Sequence, residues 1–400
     1  MPHKPAGRAC ARHTPQGDAY ARDDVPEASH PQGRSPDRPL SRGADTAGIE
    51  RPTEQPEQPE TEKAHDRLHL RALLVRDRSW SRPMRVLLLG ANGYLGRFVA
   101  DRLLADPAVQ LTALGRGDDA DVRFDLAGGS PGALTRFLDA VHPGVVINCA
   151  GTTRGGAREL TRHNTVAVAT VCEALRRSGC GARLVQLGCS AEYGPSQPGS
   201  STAEDAVPRP GGPYGVSKLA ATELVLGSGL DAVVLRVFSP AGPGTPAGSP
   251  LGRLAEAMRR AMQSGDGELK LSGLGVQRDF IDVRDVARAV HAASLSAAQG
   301  VVNIGSGRAV RLRDAAAVLA RVAGYGGALH ELDGGPVRPS IGHPRTDADI
   351  AGPAVHPYPD GCGGWQQADV RTARDRLGWR PRINLEESLA DIWMEAACRI

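Results

Sequence analysis

The stretch Arg85-Val86-Leu87-Leu88-Leu89-Gly90-Ala91-Asn92-Gly93-Tyr94-Leu95-Gly96 decides the fold. A short apolar run feeds straight into three glycines spaced GxxGxxG, and an apolar-periodic segment, Tyr94–Ala105, comes next. Glycine serves where backbone turns tightly, approaches a phosphate, or lets a helix meet a strand without a Cβ between them. A helix that starts there aims free N–H groups and partial positive charge at an anion. Taken alone, the trio fits any glycine-rich turn, and its spacing differs from the usual GxGxxG. Placed after a strand and at the head of a helix, it reads as the pyrophosphate cradle of a dinucleotide site. Gly90, Asn92, Gly93, Tyr94, Leu95 and Gly96 are its expected cofactor-binding residues.

Working outward, the runs Arg85–Leu89, Val109–Leu114, Val145–Cys149, Arg183–Leu187 and Ala232–Val237 read as buried strands. Between them Tyr94–Ala105, Gly132–Val141, Ala157–Arg177 and Pro213–Leu226 read as helices. Strands that alternate with helices imply a parallel sheet covered on both faces. The expected class is therefore α/β, a Rossmann-like doubly wound parallel sheet. Residues 84–238 form the dinucleotide-binding domain, and 239–400 a smaller mixed α+β substrate lobe interleaved with the last strands. Residues 1–83, rich in Pro, Arg, Asp, Glu and Gln, lack apolar periodicity and are expected to be a disordered arm. Met84 stands directly before the first strand, so translation is expected to start there, with the arm not translated.

Composition sets outer limits. The net charge of +3 gives no reason to expect nucleic acid, and no run approaches the ~18 apolar residues of a membrane span. Seven cysteines without a CxxC pair fit reduced thiols, hence a cytoplasmic chain, rather than a disulfide scaffold or zinc ribbon. No metal site is expected. Lysine is scarce, at positions 4, 63, 218 and 270, so a lysine at a motif position carries weight.

Strand two ends in Leu114-Gly115-Arg116-Gly117. NAD sites place an acid in this region to hold the ribose 2′-hydroxyl, whereas a guanidinium suits a 2′-phosphate. Arg116 therefore favours NADP; NAD stays open if Asp118 or Asp119 takes the ribose from a shifted loop. Asp125-Leu126, after another strand-like run, either touches the adenine edge or caps the next segment of chain. Tyr214 and Lys218 stand i, i+4 and so share a helix face. An ammonium beside a phenol favours phenolate, which makes a general acid/base for a hydroxyl proton. At the carboxyl end of the fourth of these strands lies Leu187-Gly188-Cys189-Ser190-Ala191-Glu192-Tyr193-Gly194. Ser190 is the expected hydroxyl partner of Tyr214; Cys189 is the runner-up, since counting back from Tyr193-Gly194 lands on it.

Residues 84–400 resemble an extended short-chain dehydrogenase/reductase of the nucleoside-diphosphate-sugar epimerase/dehydratase family. The likeness rests on Gly90–Gly96, Val145–Gly151, Gly188–Gly194, Tyr214–Lys218, Arg278–Val283 and Asn303–Gly307, in that order. It implies that Tyr214 is the acid/base, that Lys218 tunes it and holds the nicotinamide ribose, and that Ser190 orients the sugar oxygen. Ala150 and Gly151 would line the cofactor. Asn164 would be the family's active-site asparagine, or else a helix-surface amide. Arg278 would clamp the diphosphate, or else pair with Asp279 or Asp282. Glu192 and Ser239 complete the expected substrate contacts, although many relatives carry Asn where this chain has Ser239. Asp285 is expected to cap a helix Val286–Leu295. The stretch Gly342–Gly364 looks inserted; its His343, His356 and Cys362 have no metal-site spacing. Relatives dimerise through helices matching Ala157–Arg177 and Pro213–Leu226, so a homodimer is the expected assembly.

The substrate implied is a nucleoside-diphosphate sugar, and three reactions share the scaffold. A 4-epimerase and a 4,6-dehydratase recycle their cofactor; a 4-ketoreductase consumes NADPH. Ala191 cannot donate a proton as a dehydratase requires, and strand two lacks the acid of a tight NAD site. Reduction of an NDP-4-keto-6-deoxyhexose is the favoured expectation. A non-enzymatic NADP-binding redox sensor or regulator is the other class, and such relatives usually lose the Tyr/Lys pair.

Overall fold

A computed structural model describes residues 83–332 and 364–398. The expected arm, except for Pro83, and nearly all of the Gly342–Gly364 stretch with His343, His356 and Cys362 lie outside the described residues.

Seven parallel strands form the central sheet: β1 (Met84–Leu89), β2 (Val109–Gly115), β3 (Val122–Arg123), β4 (Val145–Asn148), β5 (Arg183–Cys189), β6 (Ala232–Val237) and β10 (Gly300–Ile304). Their order is β10-β6-β5-β4-β1-β2-β3. The sheet starts at β1, runs outward through β2 to β3, then crosses back to β4 on the other side of β1. The crevice above the carboxyl ends of β1 and β4 is thus the topological switch point, where ligands of such sheets bind.

Alternate residues of β1 face opposite sides, as strand geometry requires. Val86 and Leu88 pack with Val99 and Leu103 of α1 (Tyr94–Leu104) and Val286 and Val290 of α7 (Val283–Leu295). Leu87 and Leu89 pack with Leu134 and Leu138 of α2 (Pro131–Val141), Val168 and Val171 of α4 (Ala167–Arg177) and Val225 of α5 (Pro213–Leu226). Each face of the sheet therefore owns an aliphatic core. Valine, leucine and alanine build it because aromatic residues make up only 4% of the chain.

The expected single helix Ala157–Arg177 is interrupted. It begins as α3 (Ala157–Leu160), widens into a π-helical stretch at Thr161–Val166, and resumes as α4. The extra residue in the wide turn brings Asn164 inward, and the Thr165 hydroxyl donates to the Ser217 carbonyl at 2.8 Å. Single π-turns inside helices commonly mark functional sites.

Past β6 the chain builds a second lobe. β7 (Ser239–Ala241), β9 (Gln277–Asp282) and β11 (Ala309–Arg311) form a three-stranded sheet; β8 (Glu268–Ser272) pairs with β12 (Ala328–Leu332). Helices α6 (Pro250–Ser264), α8 (Leu312–Ala323) and α10 (Leu385–Ala397) close over Leu251, Met258, Leu319, Leu389 and Ile392. The chain returns in between to lay β10 beside β6 and α7 against α1, so the two lobes interleave.

The expected cap at Asp285 is corrected. α7 starts earlier, and its cap is Asp282, whose carboxylate accepts the Arg284 N–H at 2.8 Å. Asp285 lies inside the first turn, buried. It accepts the backbone N–H groups of Arg382 and Ile383 at 2.6 and 2.9 Å and pairs with Arg288. Its carbonyl takes the Trp379 indole N–H at 3.0 Å. One residue thereby ties the segment after α9 (Arg371–Leu377) to α7. Asp285→Ala removes the buried acceptor of two part-buried N–H groups and one guanidinium, and is expected to cost about 2–3 kcal/mol in urea unfolding.

Candidate active site

The glycine trio does what its position suggests. Gly90 has φ +78°, and a Cβ there would lie 2.8 Å from the Ala150 backbone. A Cβ on Gly96 would sit 2.0 Å from the Gly90 carbonyl oxygen, so only glycine lets α1 start this close to β1. The first turn of α1 has no side-chain cap and no acidic residue. Its N–H groups are therefore left to an anion.

Above this turn opens a cavity of about 330 Å³, lined by Gly90, Asn92, Gly93, Arg116, Asp125, Leu126, Ala150 and Gly151 among others. These are eight of the eleven cofactor residues expected outside the Tyr/Lys pair. The other three serve the cradle from behind. The Tyr94 hydroxyl is turned to Thr245 Oγ1 at 3.0 Å, Leu95 packs against the core, and Gly96 is a spacer. The sequence motifs also missed residues. Cys149, Thr152 and His163 line the cavity, and the buried Asn148 fixes its floor by accepting the Ala150 N–H at 3.0 Å while donating to Gln186 at 2.8 Å. Arg116, just past the end of β2, lines the cavity, and the nearby Asp118 is paired with Arg123 at 2.7 Å on the exposed surface.

The chemical end lies at the carboxyl end of β5, beside the head of α5. Tyr214 is half-buried in the first turn of α5, and its hydroxyl is hydrogen-bonded to the Cys189 side chain. Lys218, one turn on and buried, donates to the Leu187 carbonyl at 2.5 Å. The helix can approach because residue 215 is glycine: a Cβ there would lie 2.4 Å from the Ala191 carbonyl oxygen. Burial pushes both nearby thiols up, Cys149 to about 12, with the Lys218 ammonium opposing the rise at each.

Other expected contacts are placed differently. Ser190 is buried and its hydroxyl donates to Gln366 Oε1 at 3.3 Å. Asn164 accepts the Thr152 N–H at 2.8 Å and donates to the Thr152 carbonyl and Ser217 Oγ at 2.9 and 3.0 Å. It is a bridge between the β4 loop and α5, not the surface amide. Glu192, expected to meet substrate, has no exposed surface. It accepts the Cys189 N–H at 2.7 Å, the Thr222 hydroxyl at 2.8 Å and Arg236 Nε at 2.7 Å. Arg236 in turn stacks 4.4 Å over the Tyr193 ring. Arg278 is 1% exposed and donates to the carbonyls of Gln277 and Gly364, both at 2.8 Å, so it holds β9 to the segment entering at 364. Ser239 is half-buried at the start of β7. Asp279 accepts from Ser306 N–H and hydroxyl, Gly307 N–H and Ala368 N–H, while burial pushes its carboxyl up to about 6. Among the described residues no cluster of three His, Cys, Asp or Glu could hold a metal, and no helix is long and apolar enough to cross a membrane.

Sheet order, glycine cradle and Tyr/Lys helix together define a Rossmann-type protein of the short-chain dehydrogenase/reductase kind. The NAD dependent epimerase/dehydratase family model matches residues 86–305. The chain is 35% identical over 327 residues to a dTDP-6-deoxy-L-talose 4-dehydrogenase (NAD(P)(+)) of Kitasatospora kifunensis, covering 78% of this chain and 95% of that one. It is 27% identical over 335 residues to a GDP-6-deoxy-D-mannose reductase of Pseudomonas aeruginosa, covering 79% and 98%. Among solved structures it superposes on RMD from Pseudomonas aeruginosa complexed with NADPH (TM-score 0.64, 22% identity, 79% and 100% covered). It also superposes on MoeE5 in complex with UDP-glucuronic acid and NAD (TM-score 0.62, 28% identity, 78% and 99% covered). The chain belongs to the NAD-dependent epimerase/dehydratase family.

The cradle makes a direct test. Gly96→Ala should force α1 away from the Gly90 carbonyl. Titration of intrinsic or cofactor fluorescence with NADPH is expected to show affinity lower by a factor on the order of 10 or more, the lost phosphate hydrogen bonds being charge-assisted.

Proposed function

We propose that the protein catalyses NADPH-dependent reduction of a nucleoside-diphosphate 4-keto-6-deoxyhexose. The observation that carries this reading is the Tyr214 hydroxyl set against β5, with the Lys218 ammonium one helical turn away. The condition of Glu192 separates it from dehydration. It is the only carboxylate in the Gly188–Gly194 turn, and it is fully buried against Arg236 and Thr222. No acid of that turn is left to remove water from a sugar. Arg116 at the cavity wall supports NADPH; of the two acids that would favour NAD, Asp118 is paired with Arg123, and Asp119 is the one to test against it. The talose 4-dehydrogenase and mannose reductase among the relatives both carry names of 6-deoxyhexose redox enzymes, which agrees with this choice.

The cavity fits a dinucleotide: a cradle that any Cβ would fill, an uncapped helix start, and a basic residue at the lip. When bound, the nicotinamide supplies hydride for the sugar carbonyl carbon. Tyr214 gives its hydroxyl proton to the carbonyl oxygen as negative charge develops there. Lys218, held by the Leu187 carbonyl, stabilises the phenolate left behind. The ends of β5 and α5 keep bulk water from the oxygen, which strengthens each of these interactions. Residues 239–400 contribute the sugar-nucleotide side of the cleft. The protein acts as a homodimer in this reading, through the faces that expose Val166, Val216 and Leu224.

Tyr214→Phe is expected to lower turnover by a factor on the order of 10²–10⁴ with little change in NADPH affinity. Loss of NADPH absorbance against a panel of keto-sugar nucleotides measures it, and near-normal turnover would refute the role. Inversion at C4 without net NADPH loss would mark a 4-epimerase, and tight cofactor binding without turnover on any sugar a sensor. Arg116→Ala should raise the KM for NADPH by a factor of about 10–100 and leave the KM for NADH nearly unchanged. Equal effects on both cofactors would remove Arg116 from the 2′-phosphate.

A further inference from the structure

Two adjacent side chains could stand opposite Tyr214, and they point in different directions. Ser190 is 5% exposed; its hydroxyl donates to Gln366 Oε1, and its carbonyl accepts the Gln366 amide at 3.2 Å. Cys189, the last residue of β5, is half-buried and carries the hydrogen bond to Tyr214.

The thiol is held there from several directions. Its sulfur accepts the Ala191 N–H at 3.4 Å, which fixes the side chain across the short 3₁₀ turn Ser190–Glu192. Its own N–H donates to Glu192 Oε1 at 2.7 Å, while Glu192 Oε2 accepts from Thr222 of α5 and from Arg236 of β6. Thr222 lies one turn beyond Lys218 and two beyond Tyr214. A single carboxylate thereby joins the residue bearing the thiol to the helix bearing the phenol, at the place where Gly215 lets the two meet.

We propose that Cys189, and not Ser190, is the second catalytic side chain, its thiol sharing the substrate oxygen with Tyr214, and that Glu192 is the residue that positions it. This rests on the ketoreductase reading above. Tyr214 supplies the proton: its O–H bond breaks as the new alcohol O–H forms, and Lys218 stabilises the phenolate. The thiol stays S–H and lends a hydrogen bond to the oxygen while charge accumulates. Burial favours the neutral thiol over thiolate, so at neutral pH it remains a donor. Sulfur is a weaker donor than a hydroxyl. A serine in its place should therefore serve at least as well.

The test compares Cys189→Ala, Cys189→Ser, Ser190→Ala and Tyr214→Phe in single-turnover reduction with NADPH, each checked for unchanged thermal melting and NADPH affinity. Cys189→Ala is expected to slow the chemical step by a factor on the order of 10–100, less than loss of a full oxyanion donor. Cys189→Ser should restore most of that rate, and Ser190→Ala should lose much less than Cys189→Ala. A second readout needs no turnover. Alkylation of Cys189 by iodoacetamide, located by peptide mass, should follow a pH midpoint that moves upward in Tyr214→Phe, because the lost hydrogen bond favoured thiolate. An unshifted midpoint, or a Cys189→Ala enzyme with full rate beside a crippled Ser190→Ala, overturns the assignment. Tyr214→Phe keeps the failures apart: if it is inactive while Cys189→Ala is active, only this inference falls; if it is active, the function proposed above falls first.

Discussion

The chemical end of this molecule depends on one carboxylate with no exposed surface. Glu192 joins the last residue of β5, the third turn of α5 and a guanidinium on β6. Burying an ion pair is costly, and the cost is offset only where geometry is good and the remaining lone pairs find donors. Here they do: the backbone N–H of Cys189 and the hydroxyl of Thr222 complete the set, and the Arg236 plane rests on Tyr193. The gain is less in net stability than in specificity of arrangement. With β5, β6 and α5 pinned to a common point, the groups beside the Tyr214 hydroxyl have little freedom to drift, and proton transfer tolerates little drift.

A similar device recurs at the second lobe. Asp279 gathers four donors from Ser306, Gly307 and Ala368, and Asp285 gathers the N–H groups of Arg382 and Ile383. In each case a buried acid collects loop backbone that no strand or helix satisfies. At these loops, acids remote in sequence stand in for the regular hydrogen bonding that holds the central sheet.

The fold was legible because its signals are local. The five apolar runs, the glycine trio and the i, i+4 pair of Tyr214 and Lys218 are each readable within a dozen residues, and their elements lie within a residue or two of expectation. What escaped was set by direction and distance. No sequence pattern says that Tyr94 turns to Thr245, that Glu192 meets Arg236, or that Asn164 faces inward through a π-turn. Cys189 and Ser190 are neighbours on a chain leaving a strand, and successive side chains there point to opposite sides. Counting back from Tyr193-Gly194 lands on Cys189, whereas the chemistry of a hydroxyl beside a phenol favours Ser190. The deciding fact is orientation, which the Gln366 side chain, distant in sequence, shares in setting. Arg278 shows the same limit: one of its carbonyl partners, Gln277, is its neighbour in sequence, while the other, Gly364, comes from a segment no motif connected to it.

The scarcity of lysine has a practical side. In the two lobes described, the only primary amines on side chains are Lys218 and Lys270. Lys270 stands well out in solvent on β8, whereas Lys218 is folded away with its nitrogen on a backbone carbonyl. An acylating reagent therefore meets one open amine and one shielded amine among the described residues. The ratio of the two labels, read peptide by peptide so that Lys4 and Lys63 are counted apart, is an internal gauge of how tightly the cleft is shut, with Lys270 as the built-in standard.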